Sequence, residues 1–225
     1  MVILAHRGNR KGVARAEENT VGALCECLAQ GWGIETDIRC TSEGRFYIAH
    51  DAGEATANNA AEVFFDLFAR YPFAPIALNV KELGYERELI CFLKEQRAGS
   101  GVFLFDMELL GGAPGQAVKD FRALDPRIRL AARVSDRAES VEQALQAEAA
   151  QVIWLDEFDS LWATEHDVRR LREAGRVVFA VSPEIHGFSL DQMERRWQQF
   201  AQWNVDGICT DFPALLQASV GTMLR

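Results

Sequence analysis

The chain has 225 residues, with 24 Lys and Arg against 33 Asp and Glu, giving a formal charge of −9 at pH 7. Hydrophobic residues make up 48% and charged residues 25%, which excludes a disordered chain, and 17 glycines without a fixed period exclude a fibrous repeat. The acidic balance argues against a general nucleic-acid binder, and no apolar run approaches the ~18 residues that a membrane span needs.

The sequence opens on an apolar strand, Val2–His6, and not on a basic leader, so the fold is expected to begin where translation does. A capped helix over Asn19–Gln30 follows, closing at Gly31, and then a strand over Gly33–Arg39. Only Thr41-Ser42-Glu43-Gly44-Arg45 separates that strand from Phe46–His50. Five residues cannot hold a crossover helix, so these two predict an antiparallel hairpin. Further strands are predicted at Ile76–Lys81, Val102–Asp106, Leu130–Ser135, Val152–Asp156, Val177–Ser182 and Gly207–Asp211. They are short and rich in Val, Ile, Leu and Phe, as parallel strands buried on both faces are. Helical patterns lie between them at Tyr85–Arg97, Gly115–Leu124, Ala138–Glu148, Glu165–Ala174 and Leu190–Trp203, with Gly175 as a C-cap. Setting the hairpin arm aside leaves eight strands, mostly alternating with helices. That predicts a single α/β domain over residues 1–225, a TIM (β/α)8 barrel with a β-hairpin extension after strand 2. An open doubly wound sheet is the alternative. The five cysteines, Cys25, Cys27, Cys40, Cys91 and Cys209, are odd in number and lack zinc spacing. Read as reduced thiols, they favour the cytoplasm.

Strand after strand ends in a polar group: His6-Arg7, Glu35 and Asp37, Asn79 and Lys81, Asp106, Ser135-Asp136, Asp156-Glu157, Ser182 with Glu184, and Asp211. In a parallel barrel these ends share one face, where active sites lie. Glu35 and Asp37 are two apart inside a strand and point to the same side. Two converging carboxylates call for a cation, and hard oxygen ligands without Cys or a His cluster suit Mg²⁺ or Ca²⁺. Lys81 is one of four lysines. Its burial calls for a partner, and an anionic ligand such as phosphate supplies one. Arg7, Arg10, Lys11 and Arg15 add a basic segment beside the carboxylates. A metal plus cations at one mouth is what phosphoryl chemistry requires. His6 and His50 are a pair of imidazoles able to act as base and acid on the two sides of a phosphorus.

The ordered motifs Ala5-His6-Arg7-Gly8, Glu18-Asn19-Thr20, Ile34-Glu35-Thr36-Asp37-Ile38 and His50-Asp51, with the closing Asp206-Gly207-Ile208-Cys209-Thr210-Asp211-Phe212-Pro213, resemble the glycerophosphodiester phosphodiesterases. The resemblance runs from residue 5 to 213. It implies a TIM-barrel, metal-dependent hydrolase of glycerophosphodiesters, small-molecule substrates that need no nucleic acid and no membrane span. His6 and His50 would then be general acid and base, Arg7 and Lys81 would hold phosphate oxygens, and Glu35 and Asp37 would bind the divalent ion. The substrate's own neighbouring hydroxyl would attack phosphorus, forming a cyclic phosphate that opens with water.

The chain departs from that pattern at Asn79, where the family carries a metal-ligating glutamate. Asn79 still offers a carbonyl oxygen that Mg²⁺ or Ca²⁺ accepts, with one negative charge fewer. Ala16 stands where the family commonly has proline, and the segment after Asp51 is short. Two alternatives keep the barrel: a lyase that stops at the cyclic phosphate, and a non-catalytic barrel that binds a phosphate ligand.

Overall fold

The computed structural model describes residues 1–107 and 115–223. Nine strands run in chain order: β1 Val2–His6, β2 Gly33–Cys40, β3 Phe46–Ile48, β4 Ile76–Val80, β5 Val102–Phe105, β6 Ala131–Val134, β7 Val152–Leu155, β8 Val177–Val181 and β9 Gly207–Thr210. The helices are α1 Val21–Ala29, α2 Ala61–Phe68, α3 Glu86–Glu95, α4 Gln116–Leu124, α5 Val141–Gln146, α6 Glu165–Glu173, α7 Leu190–Gln202 and α8 Pro213–Met223. Eight strands are parallel in the order β5-β4-β2-β1-β9-β8-β7-β6. The ninth, β3, pairs antiparallel with β2 through Ile38–Ile48, Arg39–Tyr47 and Cys40–Phe46, which is the expected hairpin.

Among the described residues the ends of this order meet at a single bridge, Leu104 to Leu130, where the Leu104 amide donates to the Arg129 carbonyl at 3.0 Å. The sheet is therefore a TIM-like barrel that is nearly closed, with one weakly laced seam between β5 and β6. Every parallel strand is followed by a helix, β2 by way of the hairpin.

The two-residue period of a strand sorts side chains into two cores. Ile34, Ile38, Leu78, Val80, Leu104, Ile153, Val178 and Ile208 face outward and pack under the helices. Leu4, Ala77, Phe103, Phe105, Ala131, Val152, Trp154, Phe179, Val181 and Cys209 face inward and fill the barrel. Phe105 and Trp154 stack with ring centroids 4.1 Å apart, and Phe103 lies 5.3 Å from Phe179. Truncating a buried aromatic such as Trp154 costs about 3–5 kcal/mol. The bulk of these rings requires small residues opposite. A Cβ on Gly207 would come within 2.4 Å of the Phe179 ring, and one on Gly33 within 2.6 Å of the Leu4 side chain. The lower barrel is thus plugged, and the polar layer above it sits on a rigid apolar floor.

Two helices exceed the expectation. α2 lies in the segment after Asp51, where it buries Ala61, Phe64, Phe65, Leu67 and Phe68 without a side-chain cap at Ala60. α8 begins at Pro213, a residue pre-set for the first turn of a helix. One cap is also corrected. The N-cap of α1 is Thr20, whose hydroxyl accepts from the Ala23 amide, and not Asn19. Asn19 sits at φ 57° in the left-handed region, and its side chain is turned inward to the site.

Candidate active site

The inward alternation that makes the apolar floor continues one step higher and becomes polar. His6 follows Leu4, Asp37 follows Glu35, Asn79 and Lys81 follow Ala77, and Asp211 follows Cys209. Parallel pairing sets His6 beside Glu35 and Asp37 beside Asn79.

His6 Nδ1 lies 2.7 Å from Asp211 Oδ1. The carboxylate has only lone pairs, so Nδ1 carries the hydrogen, and Nε2 is turned toward Glu35 Oε2 at 3.8 Å. Burial pulls the imidazole pKa down, but the Asp211 hydrogen bond and the charges of Glu35 and Asp211 outweigh it, and His6 titrates above its ordinary value. Asp211 is held low: burial raises it, but the His6 and Asn9 hydrogen bonds and nearby positive charge prevail. Asn9 Nδ2 donates to Asp211 Oδ1 at 2.7 Å, which fixes the carboxylate from the other side.

Arg7 lies at φ 51°, an uncommon conformation for a non-glycine residue that clusters at functional sites. Its amide donates to the Glu35 carbonyl at 3.0 Å, and its carbonyl accepts from the Asn19 amide at 2.9 Å, so both neighbours hold the turn. The guanidinium reaches Glu18 at 3.4 Å and faces Asp37 Oδ2 at 3.2 Å. Asp37 Oδ1 faces Lys81 Nζ at 3.1 Å, and Asn19 Nδ2 donates to Asp37 Oδ2 at 2.9 Å. Burial raises the Asp37 carboxyl, yet Lys81, Arg7 and Asn19 together hold it below the usual carboxylate range. Glu35 behaves oppositely. Burial and the adjacent Asp37 charge push it up to about 7, against His6, Arg7 and Lys81.

Two buried atoms here have no hydrogen-bond partner: Asp37 Oδ1 and Arg7 Nε. The Lys81 and Arg7 contacts with Asp37 are thus charge proximity without hydrogen-bond geometry. A carboxylate oxygen with an unused lone pair, beside a second carboxyl crowded by its charge, is a hard-oxygen donor set of the kind a divalent ion takes. Mg²⁺ takes one or two protein carboxylates and completes its shell with water and phosphate oxygens. Among the described residues no three His, Cys, Asp or Glu side chains converge as a metal cluster. Asn79 sits beside them, and its Nδ2 donates to Asp106 Oδ2 at 2.9 Å.

The geometry therefore brings His6, Arg7, Glu35, Asp37 and Lys81 into one cluster, with Asn79 on its edge. His50 stands outside these contacts. It follows Ala49, whose amide donates to the Asp37 carbonyl at 3.1 Å, and its Nδ1 lies 2.8 Å from Asp51 Oδ1. With 42% of its side chain exposed, it lines a cavity of about 820 Å³ together with Glu18 and Asn19, the residues that touch Arg7 and Asp37.

Three residues went unassigned in the sequence: Asp211, Asn9 and Arg133. The partners His6 and Asp211 are 205 residues apart, beyond any local spacing. Arg133 bridges Asp106 and Asp156 across the other half of the mouth. Its only sequence signal is a charge on the inward alternation of an apolar strand, after Ala131.

No family model matches the chain, and no curated protein matches its sequence. Its solved structural neighbours are informative. A glycerophosphodiester phosphodiesterase from Parabacteroides distasonis aligns with a TM-score of 0.74 at 14% identity, over 99% of this chain and 98% of that one. A second such enzyme from the same organism gives 0.72 at 16% identity, over 99% and 86%. An Oleispira antarctica phosphodiesterase in complex with its product sn-glycerol-3-phosphate gives 0.68 at 17% identity, over 98% and 97%. At such identities the likeness is one of fold: this chain is built, over nearly its whole described length, on the same barrel as these phosphodiesterases.

Proposed function

We propose that the protein is a divalent-metal-dependent hydrolase of small glycerophosphodiesters. The observation that carries this reading is the cluster itself. A part-buried His6 oriented by Asp211, a carboxylate pair with an unsatisfied oxygen, and the cations Arg7 and Lys81 meet at the C-terminal mouth of the barrel. Phosphoryl transfer asks for positioning and charge stabilisation at one phosphorus, and each part has a residue here.

In this reading Arg7 and Lys81 bind the phosphate oxygens and neutralise the charge that grows on them. His6 Nε2, the ring nitrogen not committed to Asp211, takes the proton from the attacking hydroxyl, which belongs to the substrate's own glycerol. His50, from the neighbouring cavity that Glu18 and Asn19 also line, gives a proton to the departing alcohol oxygen. The cyclic phosphate that results opens when water attacks, with the two imidazoles exchanging roles. Glu35 and Asp37 would hold the divalent ion, with the Asn79 carbonyl as a neighbouring ligand, and the ion supplies Lewis-acid stabilisation of phosphate charge. The partner is a water-soluble diester in the cytoplasm. Among the described residues no helix is long and apolar enough to cross a membrane.

The test is a panel of glycerophosphodiesters assayed with Mg²⁺, Ca²⁺ and chelator, with products resolved by phosphorus NMR. Metal-dependent release of an open glycerol phosphate supports the hydrolase. Accumulation of the cyclic phosphate alone makes it a lyase. Binding without turnover under every condition overturns the enzymatic reading.

A further inference from the structure

The β6–β8 side of the mouth carries a histidine site that the chemistry above leaves unused. His186 closes the 3-10 turn Pro183–His186 that follows β8. Its Nε2 is hydrogen-bonded to Asp156 Oδ1. Asp156 is buried at the top of β7, on the same inward alternation as Val152 and Trp154, and its other oxygen meets Arg133. Arg133 is also paired with Asp106, and Asp106 takes the Asn79 amide. The Glu157 amide donates to Asp156 Oδ1 at 3.1 Å, so that carboxylate cannot swing. The turn is pinned as well. Glu184 Oε1 accepts from the Thr210 hydroxyl at 2.6 Å and the Asp211 amide at 3.0 Å. A buried chain of charges thus ends in one imidazole held in a fixed pose.

What that imidazole presents is narrow. The Asp156 carboxylate can only accept, so Nε2 carries hydrogen and Nδ1 is the acceptor of the neutral ring. Nδ1 has no partner among the described residues, and the side chain keeps 18% of its surface open to solvent. The Phe158 ring beside it is already covered, with the His186 ring at 4.5 Å, the Arg137 guanidinium at 4.1 Å and that of Arg133 at 5.0 Å.

The position is equally specific. In the strand order, β7 lies four strands from β2 in either direction and β8 lies four from β4. Asp156 therefore faces Glu35 and Asp37 across the mouth, and the turn bearing His186 faces the end of the strand that leads to Lys81. The interior of an eight-stranded barrel is only wide enough for side chains or one small ligand. A phosphate held on the β1–β4 side projects its alcohol substituent against this opposite wall.

We propose that His186, oriented by Asp156 and Arg133, forms the subsite for the alcohol moiety and selects an alcohol that carries a free hydroxyl, which donates to Nδ1. This subsite rests on the phosphodiesterase reading. The experiment compares two diesters of glycerol phosphate, the glycerol ester and the ethyl ester, with the wild type, His186→Leu and His186→Gln. One hydrogen bond sets the scale: wild type prefers the glycerol ester by about tenfold in kcat/KM, carried by KM. His186→Leu brings the ratio of the two esters close to one. His186→Gln, which folds around a polar side chain and keeps an acceptor oxygen, retains part of the ratio. A tenfold ratio that survives in His186→Leu, no preference in the wild type, or an equal fall in kcat for both esters with KM unmoved overturns the subsite. Should the wild type hydrolyse neither ester, the phosphodiesterase reading fails separately. Calorimetric affinities of the two esters then decide the subsite: a tenfold preference lost in His186→Leu sustains it, and equal affinities remove it.

Discussion

On the β1–β4 side of the mouth, His6, Arg7, Glu35, Asp37 and Lys81 share charge without saturating it. An oxygen of Asp37 and the Nε of Arg7 lack hydrogen bonds, and the Glu35 carboxyl is pushed up to about 7 by burial and by Asp37. On the β5–β8 side, Asp106, Arg133 and Asp156 form a linked chain of ion pairs, and Asp156 is hydrogen-bonded to the His186 imidazole. Burial raises Asp106, with Arg133 opposing it. Both sides use the same inward-facing register above the same apolar floor. The difference teaches that one register builds two kinds of wall: on one side two carboxylates crowd each other before two cations and an imidazole, and on the other a single arginine separates two carboxylates and links them.

The largest effect expected is at His6. His6→Ala removes the oriented imidazole and lowers turnover by about 10³-fold, while circular dichroism reports an intact fold. Turnover retained within tenfold would take His6 out of the chemistry and erase the contrast between the sides. Arg133→Met tests the linked side. It leaves Asp106 and Asp156 facing each other without their cation and destabilises the protein by about 3–5 kcal/mol in urea unfolding. A loss below about 1 kcal/mol would show that the chain carries little structural weight.

Asn79→Glu joins the two sides. It adds a carboxylate beside Asp37 and removes the amide that Asp106 accepts. Divalent-ion binding should tighten in calorimetry, and the chelator-treated protein should lose about 1–3 kcal/mol. Unchanged ion affinity would place position 79 outside the coordination shell.

The smallest effect is a titration. His6 is raised above its ordinary 6.5 and Asp211 lowered below 3.8. Stabilisation from the raised imidazole is full below 6.5 and is lost as pH climbs through the folded-state value. Stabilisation from the lowered carboxyl is present above 3.8 and is lost as pH falls through its folded-state value. The pair therefore stabilises the fold most between about pH 4 and 6.5. Asp211→Asn should lower stability chiefly in that window and move the His6 titration, followed by NMR, to lower pH. An unmoved titration would leave Glu35 as the group that sets it.

The barrel was legible because its strands are buried on both faces and read as short apolar runs, each ending in polar residues. The hairpin was legible because five residues are too few for a crossover. α2 was not: its phenylalanines and Val63 follow helical spacing, but no capping side chain announces it. The cap of α1 was placed at Asn19 because Asn and Thr are both good caps. Only tertiary structure shows that the Asn19 side chain serves Asp37 and Thr36. Within the site, Glu35 and Asp37 were visible as an i, i+2 pair, whereas the Asp211–His6 pair joins the two ends of the chain. Arg133 was hidden in Ala-Ala-Arg-Val because one charge in an apolar run carries no period.

The near-closed cylinder has a last consequence. Seven of its eight strand edges are zipped by ladders of amides, while among the described residues β5 and β6 meet at one rung. Asp106 and Arg133 face each other across that same gap, so side-chain charge fastens the edge that backbone leaves loose. Thermal breathing should start there. Amide protons along Val102–Phe105 and Ala131–Val134 would exchange with deuterium sooner than those of Gly33–Cys40, and the Asp106–Arg133 wall would loosen before the wall that carries Glu35 and Asp37.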